Sequence, residues 1–360
     1  MPRVRMGKTA EAESSFRTGK ILDFPFKLCE IIPTGKDQEQ GYLPLLFAQL
    51  PREGTIPFDV YLKVKHKDSL QPRFIPCCPR GQVFPEEWRR KLQQLRISSI
   101  YFAAADAPAA VGYLEGRLEE TLESPHRHNL EKAILTYDVA QLWARNFFAS
   151  PQGRADEQLA LSLKFIDSFL HLVRQEKSYL GFVFEIRRHD LNLYTHCLNV
   201  CLLGLAFLSY LCWDEDKARA FGLGAMLHDI GLTETSPEVL KKKAPLTPEE
   251  REHIARHPTR GFQVLKSFGS IGYDSLTMVL QHHENGDGSG YPEKLRLASI
   301  HPWARILRIL DTYEAMTADR PWRLARSPQE TLWAMRNDWQ KGRIYDPAYL
   351  KAFIKFLGNR

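Results

Sequence analysis

Metal-ligand residue types recur along the second half of the chain at intervals that a helix and a loop would fill. The stations are His196, His228 with Asp229, His257, His282 with His283, and Asp311; successive separations are 32, 29, 25 and, from His283, 28 residues. Such spacing lets five helices each offer a ligand to the centre of one bundle. His228 and Asp229 close the apolar run Phe221 to Leu227 and precede Ile230 and Gly231, which delivers an imidazole and a carboxylate side by side at a helix terminus. His282 and His283 cannot point the same way on a regular element, so they suit a helix end or bend. The stretch from Asp287 through Gly288, Ser289, Gly290 and Tyr291 to Pro292 reads as a turn-rich loop at the mouth of a site, because glycine admits positive φ and proline cannot continue a helix.

His196 alone, on the apolar run Leu191 to Leu211, would be an ordinary core histidine; its partners change that reading. Five imidazoles and two carboxylates are too many for one tetrahedral ion and suit two octahedral ones, with one aspartate bridging. Mixed nitrogen and oxygen donors without thiolate favour iron or manganese, then zinc or nickel.

At 360 residues and 44% hydrophobic content the chain can bury such a site. Its longest apolar stretch, roughly Leu198 to Trp213, is interrupted by Asn199 and Ser209 and falls short of the ~18 to 20 residues of a bilayer span, so it reads as a buried helix with no membrane span. The N-terminus lacks the apolar core of a secretory signal, and a cytoplasmic location is the expectation. Six cysteines show no CxxC spacing and read as reduced, packed thiols. The net charge of +6 is dispersed among 43 acids with no aromatic-basic recognition motif, which argues against a nucleic acid polymer and weakly for a small anionic substrate.

Residues 1–20 are polar and basic and are expected as a flexible arm. Residues 21–124 read as a small α+β regulatory or interaction domain. Phe58, Val60, Leu62 and Val64 alternate with polar neighbours as in a half-buried strand, a second strand runs through Ile97 to Phe102, and helices cover Pro85 to Leu95 and the stripe Val111, Leu114, Leu118, Leu122. Residues 125–180 read as a helical linker, broken around Ser150 to Asp156 and carrying the stripe Leu159, Leu163, Ile166, Leu170, Val173. Its helices from 129 to 180 read equally as a homodimer interface or an intramolecular one. Residues 181–360 hold the stations. The fold class is mainly α, an all-helical C-terminal bundle after a small α+β domain.

The motifs LHDIG, HPTRG, HHENGDGSGYP and ARIL through AMTADRPW, from Ala304 to Trp322, occur in one order and spacing. Through them the region of about residues 185–330, about two-fifths of the chain, resembles the HD-GYP subgroup of the HD phosphohydrolase superfamily. The resemblance implies a two-metal or three-metal centre that hydrolyses cyclic di-GMP to pGpG or GMP in bacterial second-messenger signalling. It makes Asp229 the bridge and His196, His228, His257, His282, His283 and Asp311 terminal ligands. Two cations about 3.5 to 4 Å apart would lower the pKa of a shared water, which attacks phosphorus as hydroxide while the ribose 3′ oxygen leaves. Gly288, Gly290, Tyr291 and Pro292 resemble the loop at the lip, where a tyrosine can pack on guanine and backbone amides can meet phosphate. Arg320 can contact phosphate or cap its helix. A related cyclic dinucleotide such as cyclic GMP-AMP is an alternative substrate, and a GGDEF-type or other signalling protein a possible partner.

Leu232 stands where the family has lysine, which implies lost transition-state stabilisation and an alternative role as an effector that binds cyclic di-GMP without turnover. Lys241, Lys242 and Lys243 are nearby candidates to compensate. Asn192 stands where three-metal members place a glutamate, so two metals are expected. His189 with Asp190, and His253, imitate metal stations and are expected at the surface or behind the ligands, as are His301 and Glu284.

Overall fold

The computed structural model describes residues 29–31, 41–47, 50, 54–66, 73–97, 99–124, 128–149, 155–176, 181, 183, 193–240, 242–320 and 323–358. It divides into Met1–Ser124 and Pro125–Arg360. The arm at 1–20, the decoys His189 and Asp190, Asn192, Lys241, and Pro321 with Trp322 lie outside the described residues.

In the first unit β1 (Cys29–Ile31), β2 (Tyr42–Leu46), β3 (Val60–His66), β4 (Arg73–Cys78) and β5 (Ser99–Ala103) form one antiparallel sheet. β3 is its centre. β4 runs along one edge of it, β1 and β5 share the other, and β2 pairs with β5. The alternation of β3 buries Val60, Leu62 and Val64 beneath α1 (Glu86–Gln94) and α2 (Ala107–Glu123), whose own stripes contribute Trp88, Leu92, Leu114 and Leu118 to the core of the unit.

The second unit is all-helical. Its elements are α3 (Asn129–Ala149), α4 (Ala155–Gln175), α5 (Leu193–Tyr210), α6 (Glu215–Leu227), α7 (Pro237–Leu240), α8 (Pro248–Ala255), α9 (His257–Ser267), α10 (Tyr273–Gln281), α11 (Pro302–Thr317), α12 (Pro328–Gly342) and α13 (Pro347–Gly358). The axis is α5, buried from Thr195 to Ser209 and packed against α3, α4, α6, α11 and α13. By length and composition α5 is apolar enough to cross a membrane, but 83% of it is buried within the unit, as befits a core helix. In the segment expected as a helical linker, α3 and α4 pack on α5 and on each other inside the second unit. Tyr137, Trp143, Phe147, Phe165, Ile166 and Phe169 are all buried, and helices with apolar faces of that size must be covered.

The elements that carry the stations have clear local causes. Asp214 accepts the Lys217 backbone N–H at 2.9 Å and starts α6, which ends at His228. A reciprocal Thr247–Glu250 capping box starts α8, which gives way at Arg256 to α9, opened by His257 and Pro258. Between α6 and α7 a 3₁₀ turn, Ile230–Glu234, lies against the start of α9. A Cβ on Gly231 would stand 2.1 Å from the His257 carbonyl oxygen and 2.7 Å from the Gly261 nitrogen. The glycine after His-Asp is thus the close approach that brings α9 to Asp229.

We predict that Gly231→Ala lowers the unfolding free energy of metal-free protein by about 1–3 kcal/mol through overpacking against backbone that cannot yield. Urea denaturation measures it; a wild-type midpoint would show that the two backbones are free to separate.

Candidate metal centre

Three histidines use one device. His228 Nδ1 lies 2.8 Å from the Ala225 carbonyl oxygen, His257 Nδ1 2.8 Å from that of Ile254, and His282 Nδ1 2.7 Å from that of Val279. Each is the carbonyl three residues back, in the last turn of α6, α8 or α10. A carbonyl can only accept, so each Nδ1 carries a proton and donates, and in the neutral ring each Nε2 is a lone pair aimed away from its helix.

These lone pairs converge on Asp229. His257 Nε2 is 3.1 Å and His282 Nε2 3.6 Å from Oδ1; His228 Nε2 is 3.4 Å and His196 Nε2 3.8 Å from Oδ2. On the Oδ2 side Asp311 joins, its Oδ1 3.0 Å from His196 Nε2. The ligand-type atoms form two clusters, Asp229 with His257, His282 and His283, and His196 with His228 and Asp311, each with all atoms within 4.8 Å of one another. All seven residues named from the spacing therefore come together, and the Asp229 carboxylate faces both clusters.

The electrostatics ask for positive charge. Burial pushes the Asp229 carboxyl up, but His228, His257 and His282 outweigh it and hold it well below the usual range. Asp311 behaves alike, with burial overcome chiefly by His196. Burial lowers His282 to about 4 and is the chief cause that holds His283 well below its ordinary value, so both are neutral donors. At His196 and His228 burial also opposes charging, yet Glu314 and Asp229 respectively raise them.

Two further observations fit a cation. His228 Nε2 is buried without a hydrogen-bond partner, and His257 Nε2 faces His282 Nε2 at 3.1 Å. Two lone pairs so close repel unless a positive charge lies between or beside them. The residues present thus fit one ion on each side of Asp229.

Behind the ligands stands a network that sequence reading missed. Glu314, one turn after Asp311 on α11, holds His196 Nδ1 through Oε2, and its Oε1 accepts from Asn199 Nδ2 at 2.8 Å. Asn199 Oδ1 in turn accepts from the Tyr137 hydroxyl of α3 at 2.8 Å. A carboxylate on the rear nitrogen of a ligating histidine fixes its ring and raises its basicity. The only signal in the sequence was the three-residue step from Asp311 to Glu314. Cys197, beside His196 in sequence, also lies within reach of His228 and Asp229; burial raises its thiol, which keeps it protonated.

The loop at the lip is held from behind. Glu284 is buried, and its two carboxylate oxygens accept the backbone N–H of Glu293 at 2.6 Å and of Leu295 at 2.8 Å. Gly290 admits no side chain, since a Cβ would lie 2.3 Å from Asn285 N and 2.5 Å from His283 O, and Gly288 takes φ +85°. Tyr291 stacks on His283 with centroids 4.8 Å apart and precedes Pro292 through a cis peptide bond. Arg320 turns inward, its Nη2 3.3 Å from His196 Nδ1 and 3.7 Å from Glu314 Oε2. His253 is exposed against Arg260, and His301 caps α11 and pairs with Asp274, so neither enters the site. Lys242 is bound by Glu250 at 2.7 Å, and Leu232 is half-buried.

The HD domain family matches residues 203–349, which takes in every station except His196. Over 266 residues, 74% of this chain, it is 32% identical to a Pseudomonas aeruginosa protein named as a cyclic di-GMP phosphodiesterase and spans 55% of it. It is 36% identical, over 36% of its own length, to a Vibrio cholerae protein named as a 3′3′-cGAMP-specific phosphodiesterase and spans 30% of that protein. The chain thus spans about half the length, or less, of these relatives. The structure of a Bdellovibrio bacteriovorus protein described as HDG"Y"P is similar with a TM-score of 0.65 over 88% of this chain and 100% of that one, at 19% identity, a likeness of fold. The motifs, the helical unit and these matches agree: the C-terminal unit is an HD domain of the HD-GYP kind.

Proposed function

We propose that the HD unit hydrolyses the phosphodiester bonds of cyclic di-GMP, giving pGpG or GMP, with two divalent ions held by Asp229 as bridge and by His196, His228, His257, His282, His283 and Asp311. The observation that carries this reading is the two-sided Asp229 carboxylate, with Nε2 atoms at 3.1 and 3.6 Å from one oxygen and at 3.4 and 3.8 Å from the other. Nitrogen and oxygen donors around a protonated thiol favour iron or manganese, then zinc or nickel. Bound there, the ions would supply an activated water and neutralise charge on the phosphoryl group being displaced. The protein's part is placement. Carbonyl-anchored imidazoles keep their lone pairs aimed, Glu284 keeps the lip loop folded, and Tyr291 offers a ring backed by His283 on which a guanine can rest. Gly288, Gly290 and Pro292 shape that lip, and Arg320 steadies the His196–Glu314 pair.

Leu232 favours a second reading, an effector that binds cyclic di-GMP without turnover, because an apolar side chain offers no charge to a phosphate. The name of the Vibrio cholerae relative makes 3′3′-cGAMP the competing substrate.

The deciding experiment is hydrolysis of cyclic di-GMP and of 3′3′-cGAMP by anaerobically purified protein loaded with iron or manganese, with metal counted and Asp229→Ala as control. We expect about two ions per chain and cyclic di-GMP turnover that the substitution abolishes. Tight binding without turnover would replace the enzyme by the effector, and faster cleavage of 3′3′-cGAMP would change the substrate.

We also predict that Glu314→Gln weakens metal binding about 10–100-fold, since the amide keeps a hydrogen-bond acceptor but loses the charge behind His196. Metal retained after dialysis against a graded chelator reads this directly. Wild-type retention would make Glu314 a packing residue only.

A further inference from the structure

Displacement at phosphorus loads negative charge onto the phosphoryl oxygens, and a cation fixed beside the metals offsets it. Leu232 supplies none, Lys242 is bound by Glu250, and Arg320 is turned to Glu314 and His196. Arg308 differs from all three. It lies one turn before Asp311 on α11 and so shares its face, with Nη1 4.0 Å from Asp311 Oδ2. Its Nε donates to Asn285 Oδ1 at 3.2 Å in the lip loop, its Nη1 donates to Thr312 Oγ1 at 2.9 Å, and its guanidinium lies over the Tyr345 ring, 5.8 Å from the centroid. Among the described residues no hydrogen bond or ion pair engages Nη2. Burial raises the Tyr291 hydroxyl and Arg308 is the charge that opposes it most; burial also lowers His283, with Arg308 adding to the fall. The guanidinium therefore stands beside the Asp311 carboxylate and Asn285 of the lip loop, and its charge is felt at His283 and Tyr291.

Three contacts lock a planar fork and leave one edge of it open, with one-fifth of the side chain exposed. A pre-positioned guanidinium matches two phosphate oxygens at once, which a mobile ammonium does not. We propose that Arg308 is a substrate-contacting residue that binds the scissile phosphate of the cyclic dinucleotide and supplies the charge that Leu232 cannot. The assignment rests on the phosphodiesterase reading above.

The test compares metal-loaded wild type, Arg308→Gln, Arg308→Met, Arg308→Lys and Asn285→Ala. The readouts are KM and kcat for cyclic di-GMP, the dissociation constant of inorganic phosphate by calorimetry, metal content and Tm. Arg308→Gln should raise KM and weaken phosphate binding by roughly 10–100-fold, the range of a lost charged hydrogen bond, with metal content unchanged. Arg308→Met keeps the aliphatic stem over Tyr345 and gives the same loss if the glutamine variant fails to fold. Arg308→Lys should recover part of the affinity, and Asn285→Ala, which removes the tether but not the charge, should leave it within about threefold. Wild-type phosphate affinity in Arg308→Gln or Arg308→Met overturns the assignment alone, as does Asn285→Ala reproducing the full loss, which would make Arg308 a tie for the loop. A metal-loaded wild type that neither turns over nor binds cyclic di-GMP removes the functional reading and Arg308's role with it.

Discussion

Everything in the HD unit is arranged around a carboxylate that should not be ionised where it is. Asp229 and Asp311 are both buried, and placing a carboxylate in such surroundings costs several kcal/mol even after relaxation. Neutral hydrogen bonds return about 1 kcal/mol each, too little to offset two such charges. The imidazoles around them offset that cost where they carry charge, and where they are neutral they add acceptors to acceptors. Positive charge balances the set, and the donors present would fit a cation on either side of Asp229. Metal binding there would be linked to the folding of this region.

The same constraint explains the placement of the helices. α6, α8 and α10 all end at the site, and their last carbonyls both anchor the Nδ1 protons and turn the negative ends of three helix dipoles towards the centre. A histidine at a helix end thus satisfies a carbonyl that would otherwise lack a partner and aims a ligand in the same stroke. The contact of Gly231 with His257 O sets the distance between the α6 end and the α9 start. Behind α5, Tyr137, Gln141 and Arg145 recur every four residues along α3 and bond to Asn199, Thr195 and Tyr194. α3 thereby grips the helix of His196 through polar contacts, which are directional where apolar packing is not.

Spacing and local chemistry made the stations legible. The break at the HHENGDGSGYP loop and the end of the apolar run at His228 are written in neighbouring residues, so these stations could be read directly, whereas the Asp214 and Thr247 caps came from the structure. The strand of alternating Val60, Leu62 and Val64 was legible for the same reason. Glu314, Asn199, Tyr137 and Arg308 were not, because their meaning lies in contacts across 62 to 118 residues, or across the gap from α11 to the lip loop. A glutamate and an arginine on an amphipathic helix read as solvated charges until the opposing helix is in place. In the segment 125–180 the apolar stripe was visible for its spacing, but the face that covers it was not.

The lip loop shows how rigidity reaches the site from the end of the chain. Gly286 N–H donates to the Ile344 carbonyl at 2.8 Å, and a side chain on Gly286 would meet the Arg343 carbonyl at 2.6 Å. Arg343 itself sits at φ 54° to end α12, and the following Tyr345 and Asp346 receive Arg308 and Arg305 of α11. The turn between α12 and α13 therefore backs the loop from one side while Glu284 holds it from the other. A loop clamped twice loses little further entropy when a ligand arrives, so its tyrosine and the neighbouring guanidinium meet a substrate already in position. Pre-organisation of that kind suits a site in which position 232 is an apolar leucine: a charge fixed in place meets a phosphate with less ordering cost than a mobile ammonium.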